Sequence, residues 1–289
     1  VSEDAAPQHH RFTQNAMATT FDVIISHDAA DETYAAQAAQ AVFQEIARLE
    51  DELSRFRATS DIYRLGQLKA GESIRVGMAA WDCLSLAKAM HQETAGAFDI
   101  TIGPLMTLFV TSDGEPRQVN AAVLEQARGI IGSQRFDLDE DNLSVTVHAS
   151  GMIFDLGAMG KGYALDQAAD VLQDWKIGSF VLNAGDSTIL AVGTPAGKEA
   201  WSITLGGGQR RLSLIDRAVS GSGFAVKGAH IMNPRLFMPV PIRNRRTYAL
   251  APTAALSDAL STSFMIMDKD EIAALCARYE GVEALELEE

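Results

Sequence analysis

Residues 154–166, FDLGAMGKGYALD, restrict what this chain can fold into more than any other stretch. An apolar run closes at Asp155 and Leu156. Gly157, Gly160 and Gly162 let the backbone bend and come close to a ligand, and Lys161 sets a compact positive charge beside new helix N–H groups. Leu165, Ala168, Leu172 and Trp175 then fall on one helical stripe, and SFVLN at 179–183 returns as a strand. The unit is strand, helix, strand, entered through a turn suited to phosphate. Its spacing fits neither GxxxxGK[ST], since Gly162 follows the lysine, nor GxGxxG with a distant acid. Neither common nucleotide fold is indicated.

The same periodicities organise the rest. Ala35, Ala38, Val42, Ile46, Leu49 and Leu53 predict a long amphipathic helix over 34–53, after a strand at 20–25. A second helix is expected over 79–92, with Gly96 just beyond it, and a third from the cap Asn120 to about Gly129. Leu143, Val145 and Val147 alternate with Ser144, Thr146 and His148, a half-buried strand paired with RFDLD before it. GGGQRR at 206–211 joins WSITL to LSLI by the same hairpin logic. The acidic turn at 137–142 lacks the glycine and glutamate of a calcium loop and reads as a hairpin tip. Helices mixed with hairpins predict an α+β fold of mixed, largely antiparallel sheets with packed helices. No repeat or linker divides the chain. One domain is expected over 10–285, built as one unit or as two intimately packed subdomains, behind a flexible segment 1–9.

At 289 residues with 47% hydrophobic content, the chain can bury a sizeable core. Its formal charge of −14 argues against a nucleic-acid partner, because neutralising phosphates needs clustered Lys and Arg, and RNRR at 243–246 is the only dense basic run. An acidic chain that binds an anion must gather positive charge locally, through a lysine, helix N-termini or a bound cation. Cys83 and Cys276 form no CxxC, so they read as buried thiols rather than a zinc site or a disulfide. No apolar run reaches the length of a membrane span, and no signal peptide is read. The start at Val1 with the polar SEDAAPQHH suggests that something upstream was removed.

Six segments, taken in order, resemble the ApbE family of flavin transferases, which move FMN from FAD onto a protein side chain. They are AMATTFDV at 16–23, LSRFRATSDIYRL at 53–65, GAFDITIGPL at 96–105, FDLGAMGKGYALD, SGSGFAVKGAHIMNPR at 220–235 and APTAALSDALSTSFMIM at 251–267. The resemblance implies the family's T-fold-like architecture and a magnesium-dependent transfer. FAD would be the substrate, a Ser or Thr hydroxyl of an acceptor protein the nucleophile, and AMP the leaving group. It also implies an acceptor in a membrane redox complex and a periplasmic site of action, with or without a lipid anchor at the inner membrane. A trimmed cytoplasmic form would show the same sequence.

By that resemblance, Asp258 and Thr262 hold the metal with a backbone carbonyl from Gly160. Four apart in a predicted helix, the two side chains share a face. Read without the family, Asp258 is a helix cap near Ser257 and Thr262 a hydroxyl bonded to its own helix. Lys161 steadies the phosphates. His230 aligns with the histidine of HIxDPRTG, where a neutral imidazole with a pKa near ~6.5 takes the acceptor proton. Lys161, His230 and Asp258 are thus the implied catalytic set. Gly96, Ala97, Phe98 and Asp99 match the stretch that wraps the flavin, Met17 opens the flavin site, and Phe56 stands where many members have tyrosine. Ser60, Asp166, Asn183 and Gly185 complete the implied contacts to FAD. Several positions depart from the family. Gly66 replaces a frequent asparagine, NAGDS at 183–187 differs from NLGGD, and Asn233, Leu236 and Phe237 replace aspartate, threonine and glycine. Two alternatives follow: the same site using water to give FMN and AMP, and a protein that holds FAD without turnover.

Overall fold

The computed structural model describes residues 9–111, 117–185, 187–224 and 231–288. Its first part runs β1 (His9–Ala16), β2 (Thr19–Ser26), α1 (Glu32–Leu53), α2 (Asp61–Gly66), β3 (Ser73–Arg75), α3 (Met78–Glu93), α4 (Gly103–Phe109) and α5 (Ala121–Arg128). Next come β4 (Phe136–Asp139), β5 (Ser144–Val147), α6 (Gly160–Asp174), β6 (Phe180–Ala184), β7 (Thr188–Val192), β8 (Trp201–Leu205), β9 (Arg210–Leu214) and β10 (Arg217–Ser222). The last part holds β11 (Met232–Asn233), β12 (Met238–Pro239), β13 (Arg246–Ala251), α7 (Ala254–Phe264), α8 (Lys269–Arg278) and β14 (Glu283–Leu287).

Seven strands form one antiparallel sheet in the order β1, β2, β6, β7, β10, β13, β14. The alternation in β2 explains its two faces. Phe21, Val23 and Ile25 enter the main core, while Asp22 and Ile24 point the other way. Against the first face pack Val42, Ile46 and Leu49 of α1, Leu165, Ala168 and Leu172 of α6, and Ala255 and Ala259 of α7. Each aliphatic side chain that leaves water here contributes roughly 1.5–3 kcal/mol. The hairpin β8–β9 covers the second face, where Trp201, Leu205 and Leu214 meet Val181, Val219 and Leu250. A small antiparallel sheet in the order β3, β5, β4 sends Phe136, Val145 and Val147 into the main core, so α3 and this sheet share one interior with α1.

The α+β expectation is met, and the helices predicted over 34–53, 79–92 and 120–129 are α1, α3 and α5. The predicted hairpins appear as β4–β5 and β8–β9. The strand expected before Gly157 is reduced to an isolated parallel bridge between Ile102 and Ile153. Cys83 is buried as expected, whereas Cys276 is half-buried, and both are free thiols. Among the described residues no helix is long and apolar enough to cross a membrane.

Helix α3 is held at both poles by charge from elsewhere in the chain. At its start, the Gly77 N–H donates to Asp61 Oδ2 at 2.6 Å and the Ala80 N–H to Glu52 Oε1 at 3.2 Å. At its end, Arg278 donates to the Glu93 carbonyl at 3.2 Å, and Arg235 to the Thr94 and Ala95 carbonyls at 2.5 and 3.0 Å. Carboxylates at the N-terminus and guanidinium groups at the C-terminus both oppose the helix dipole.

Candidate active site

Asp155 organises the glycine turn that opens α6. Its N–H donates to the Ile100 carbonyl at 2.6 Å, and its Oδ1 accepts the Gly157 N–H at 2.7 Å in an Asx turn. The other oxygen lies 3.3 Å from Arg55 Nε. The Arg55 guanidinium also sits 4.5 Å from the centre of the Phe56 ring, which is 78% exposed. Two residues on, Arg57 reaches Glu50 at 3.2 Å, and Glu50 lines an open hollow of about 450 Å³ with the hairpin tip at Met17. These contacts join the Met17 tip, the Phe56 loop, the segment after residue 99 and the glycine turn into one continuous rim.

The glycine turn then meets α7. Lys161 Nζ donates to the Gly157 carbonyl at 3.1 Å and lies 3.4 Å from Asp258 Oδ2. The same oxygen accepts the Gly162 N–H at 3.2 Å. This approach depends on residue 162 having no side chain, because a Cβ there would stand 2.2 Å from the Ala254 carbonyl oxygen. Thr262, one turn beyond Asp258, shares a hydrogen bond of 3.0 Å with Ser222 Oγ, which also meets Ser261 Oγ at 2.9 Å. Gly160 is the first residue of α6, whose N-cap, Met159, offers no side-chain acceptor. The fold therefore brings Lys161 and Gly162 against Asp258, with Gly160 at the same end of α6 and Thr262 one turn further along α7.

Those oxygens, a carboxylate, a hydroxyl and a backbone carbonyl, suit a hard divalent cation that keeps several waters. No group of three or more His, Cys, Asp or Glu that could hold a metal occurs among the described residues. A cation here would complete its shell from water or phosphate oxygens.

Asp166 stands one turn along α6 from Gly162 and grips the start of α7. Its two oxygens accept the Ala254 and Ala255 N–H groups at 2.7 and 2.8 Å. Burial pushes its carboxyl up to about 6, against the downward pull of those two N–H groups. Its geometry makes it the clamp that sets α7, and hence Asp258, against α6.

The stretch 96–99, which the resemblance assigns to the flavin, is built by the end of α3. Ala95 has a left-handed φ of 48°, the Gly96 N–H returns to the His91 carbonyl at 2.8 Å and the Ala95 N–H to Gln92 at 3.1 Å, which is a Schellman closure. Ala97 and the Phe98 ring are buried. Asp99 accepts from Thr101 N–H at 2.8 Å, Thr101 Oγ1 at 2.6 Å and Ser133 N–H at 3.1 Å, and lies 3.2 Å from His91 Nδ1. That carboxylate, named from the sequence as a cofactor contact, holds its own loop in shape.

Other predicted residues also have structural partners. Ser60 caps α2, accepting the Tyr63 N–H at 3.0 Å and donating to the Ser54 carbonyl, so its hydroxyl shapes the Phe56 loop. Gly185 has a φ of +60° and passes so close to Thr19 that a Cβ would stand 1.9 Å from Thr19 Oγ1. It thereby supports the Met17 tip, with its N–H on the Thr20 carbonyl at 2.8 Å. Asn183 is not brought to this group. Its amide donates to Asp22 at 3.2 Å, beside Arg11 and Thr13, on the sheet face away from α6 and α7. The reason is strand alternation: Phe180, Leu182 and Ala184 take the helix-facing side. His230 lies outside the described residues.

Sequence reasoning missed Ser222, Arg55 and the organising part of Asp155. Ser222 had a signal in SGSGF, a small-residue run at a strand end, whereas the pairing of Arg55 with Asp155 spans a hundred residues and has none. The altered segment at 233–237 keeps its turn, since Asn233 Oδ1 accepts the Arg235 and Leu236 N–H groups at 2.9 and 3.1 Å. An amide oxygen does this as well as a carboxylate.

A family model described as the ApbE family matches residues 17–286. Among curated relatives, a FAD:protein FMN transferase of Klebsiella pneumoniae is 31% identical over 147 residues, which are 51% of this chain and 46% of that protein. The chain thus matches about half the length of that relative. A FAD:protein FMN transferase of Vibrio cholerae is 25% identical over 242 residues, 78% of this chain and 72% of that protein. Among solved structures, the flavinyl transferase ApbE of Pseudomonas stutzeri in its apo form superposes with a TM-score of 0.84 at 22% identity, covering 100% of this chain and 95% of that one. The ApbE protein of Thermotoga maritima gives 0.83 at 24% identity, covering 96% and 94%.

Proposed function

Because the chain belongs to the ApbE family, we propose that it transfers FMN from FAD to a Ser or Thr hydroxyl of an acceptor protein. The acceptor oxygen forms a bond to the FMN phosphorus, the bond from that phosphorus to the bridging oxygen breaks, and AMP leaves with that oxygen. The hydroxyl proton passes to a base. One observation carries this reading: Lys161 and Asp258 meet at the N-terminus of α6, which has no capping side chain of its own. A helix start of this kind favours a phosphate, and the Lys161 ammonium adds a full charge beside it.

Magnesium, held by Asp258, Thr262 and the Gly160 carbonyl, would supply charge neutralisation on the phosphoryl oxygens. Lys161 orients the pyrophosphate and offsets charge that grows on the departing phosphate, and removing one such preorganised contact typically lowers a rate by about 10²–10³. Asp166 keeps α7 in register so that Asp258 stays beside Lys161. His230 is the base in this reading, supported by its match to the family's histidine. A periplasmic site of action and an acceptor in a membrane redox complex belong to the same reading and rest on the same resemblance.

The test incubates the protein with FAD and magnesium, with and without an acceptor domain carrying a Ser/Thr flavinylation segment, and follows AMP, FMN and covalent flavin. Acceptor-dependent covalent flavin is expected. AMP with free FMN in both tubes would replace the transferase with a pyrophosphatase, and no product in either would leave only FAD binding. Asp258→Ala should abolish product.

A further inference from the structure

We propose that Arg235 is a positioning residue that fixes the loop 96–99 against the segment 231–239 and against α8. Its importance for flavin binding rests on the FMN-transfer reading above. The guanidinium makes contacts in three directions. Nε donates to the Ala95 carbonyl at 3.0 Å, Nη2 to the Thr94 carbonyl at 2.5 Å, and Nη1 to both oxygens of Glu271 at 2.8 and 3.1 Å. A planar fork can satisfy these acceptors together, and a lysine ammonium, a point charge on a flexible stem, cannot.

Each end of the bridge is itself held. Thr94 is buried, its hydroxyl donates to the Met90 carbonyl at 2.6 Å, and the same oxygen accepts the Phe98 N–H at 3.0 Å. Through Thr94, Arg235 is therefore one residue removed from the backbone N–H of Phe98. Ala95 occupies a left-handed conformation that is costly for an L-residue, and Arg235 takes its carbonyl. On the other side, Glu271 belongs to the capping box of α8, where its Oε2 accepts the Asp268 N–H at 2.9 Å. The carboxylate is thus already oriented when Arg235 meets it. The backbone of Arg235 sits in the Asn233 turn of the hairpin β11–β12, which begins two residues after His230.

The arrangement puts one side chain between the wall proposed for the flavin and the hairpin that follows His230 in sequence. Loss of its directed bonds should loosen both together. The experiment compares wild type with Arg235→Lys, Arg235→Gln and Glu271→Gln in the full chain. It reads backbone hydrogen exchange at 94–101 and 231–239, the melting temperature, and FAD affinity by flavin fluorescence. Arg235→Lys is expected to melt within a few degrees of wild type while exchange in both segments and the Kd for FAD each rise by about tenfold, the scale of one lost charge-assisted bond. Glu271→Gln should move both segments in the same direction by less.

A merely structural role would lower the melting temperature and leave the FAD affinity of the folded protein unchanged. That result overturns the proposal, as does an Arg235→Lys protein in which only one segment, or neither, exchanges faster. Should wild type fail to bind FAD, the flavin reading fails. The joint response of the two segments still decides whether Arg235 couples them. Arg235→Gln sets the upper bound, and if it does not fold, the lysine and Glu271 variants suffice.

Discussion

Gly162 donates its N–H to Asp258 Oδ2 at 3.2 Å across a helix contact that has no room for a side chain. The distance is possible because α6 and α7 touch backbone to backbone at residues 162 and 254.

Gly162→Ala should therefore force the two helices apart. Overpacking of this kind costs about 1–3 kcal/mol, and the shift also withdraws Asp258 from Lys161. We expect an earlier denaturation midpoint together with AMP release from FAD reduced by at least about tenfold, since positioning errors of an ångström have effects of that size or larger. An unchanged midpoint would mean that the helix contact tolerates a methyl group.

Asp166 predicts a pH dependence with an unusual sign. Its carboxyl is raised from the ordinary 3.8 to about 6, so the folded state holds the proton more tightly than the unfolded chain between those values. The associated stability is fully present below about pH 4 and is lost as pH rises through 6. Asp166→Asn removes that slope, and its amide NH₂ cannot accept from the second α7 N–H, which costs about 1–3 kcal/mol. Urea midpoints taken from pH 4 to 7 should show the variant flatter, with its deficit against wild type largest near pH 4 and shrinking as pH rises through 6.

His91 behaves in the same direction for a different reason. Hydrogen bonding to Asp99 is the largest influence and raises the imidazole above its usual 6.5, with burial opposing it. The stabilising charge is present in full below the unfolded value and disappears as pH climbs through the raised one. A His91→Asn protein should lose this component, so the gap between wild type and variant narrows from pH 6 to 9. A gap constant across that range would exclude the His91–Asp99 pair as a titrating contact.

The hairpin tip at Met17 and Ala18 makes a further prediction. Both residues have positive φ, 48° and 56°, in a two-residue turn whose geometry normally selects Asn-Gly. Ala18→Gly relieves a strain of roughly 1–2 kcal/mol and gives back part of it through unfolded-state entropy, for a net gain of roughly 0.5–1 kcal/mol. Thermal unfolding of that single variant reads the gain directly.

How much of this was legible in the sequence follows from the kind of signal each part leaves. The helices α1, α3, α5 and α6 repeat an apolar stripe every three to four residues, so their periodicity appears without any partner. β1 escaped notice because HHRFTQNA has no apolar alternation, being an edge strand with one neighbour. The start of α8 was missed although Asp268 and Glu271 spell its capping box, a signal that was there to be used.

For the site, the resemblance named Lys161, Asp258 and Thr262, and the fold brings the first two together across 97 positions of sequence. Asn183 shows the opposite case. The alternation of SFVLN already assigns it to the face of Val181, away from Leu182, and motif matching ignored that alternation. Arg235 lies beyond any local rule, since its partners Thr94 and Ala95 precede it by 141 and 140 positions.

The order of strands in the large sheet has a consequence for the chain while it is being made. β1 and β2 pair at once, but the other edge of β2 joins β6, which begins at Phe180. At ribosomal rates of about 5–20 residues per second, that edge, on a strand whose core face carries Phe21, Val23 and Ile25, waits on the order of 10–30 s for its neighbour. A nascent chain stalled before residue 180 should therefore be captured readily by chaperones or by its own copies, and release of that vulnerability should coincide with the emergence of β6.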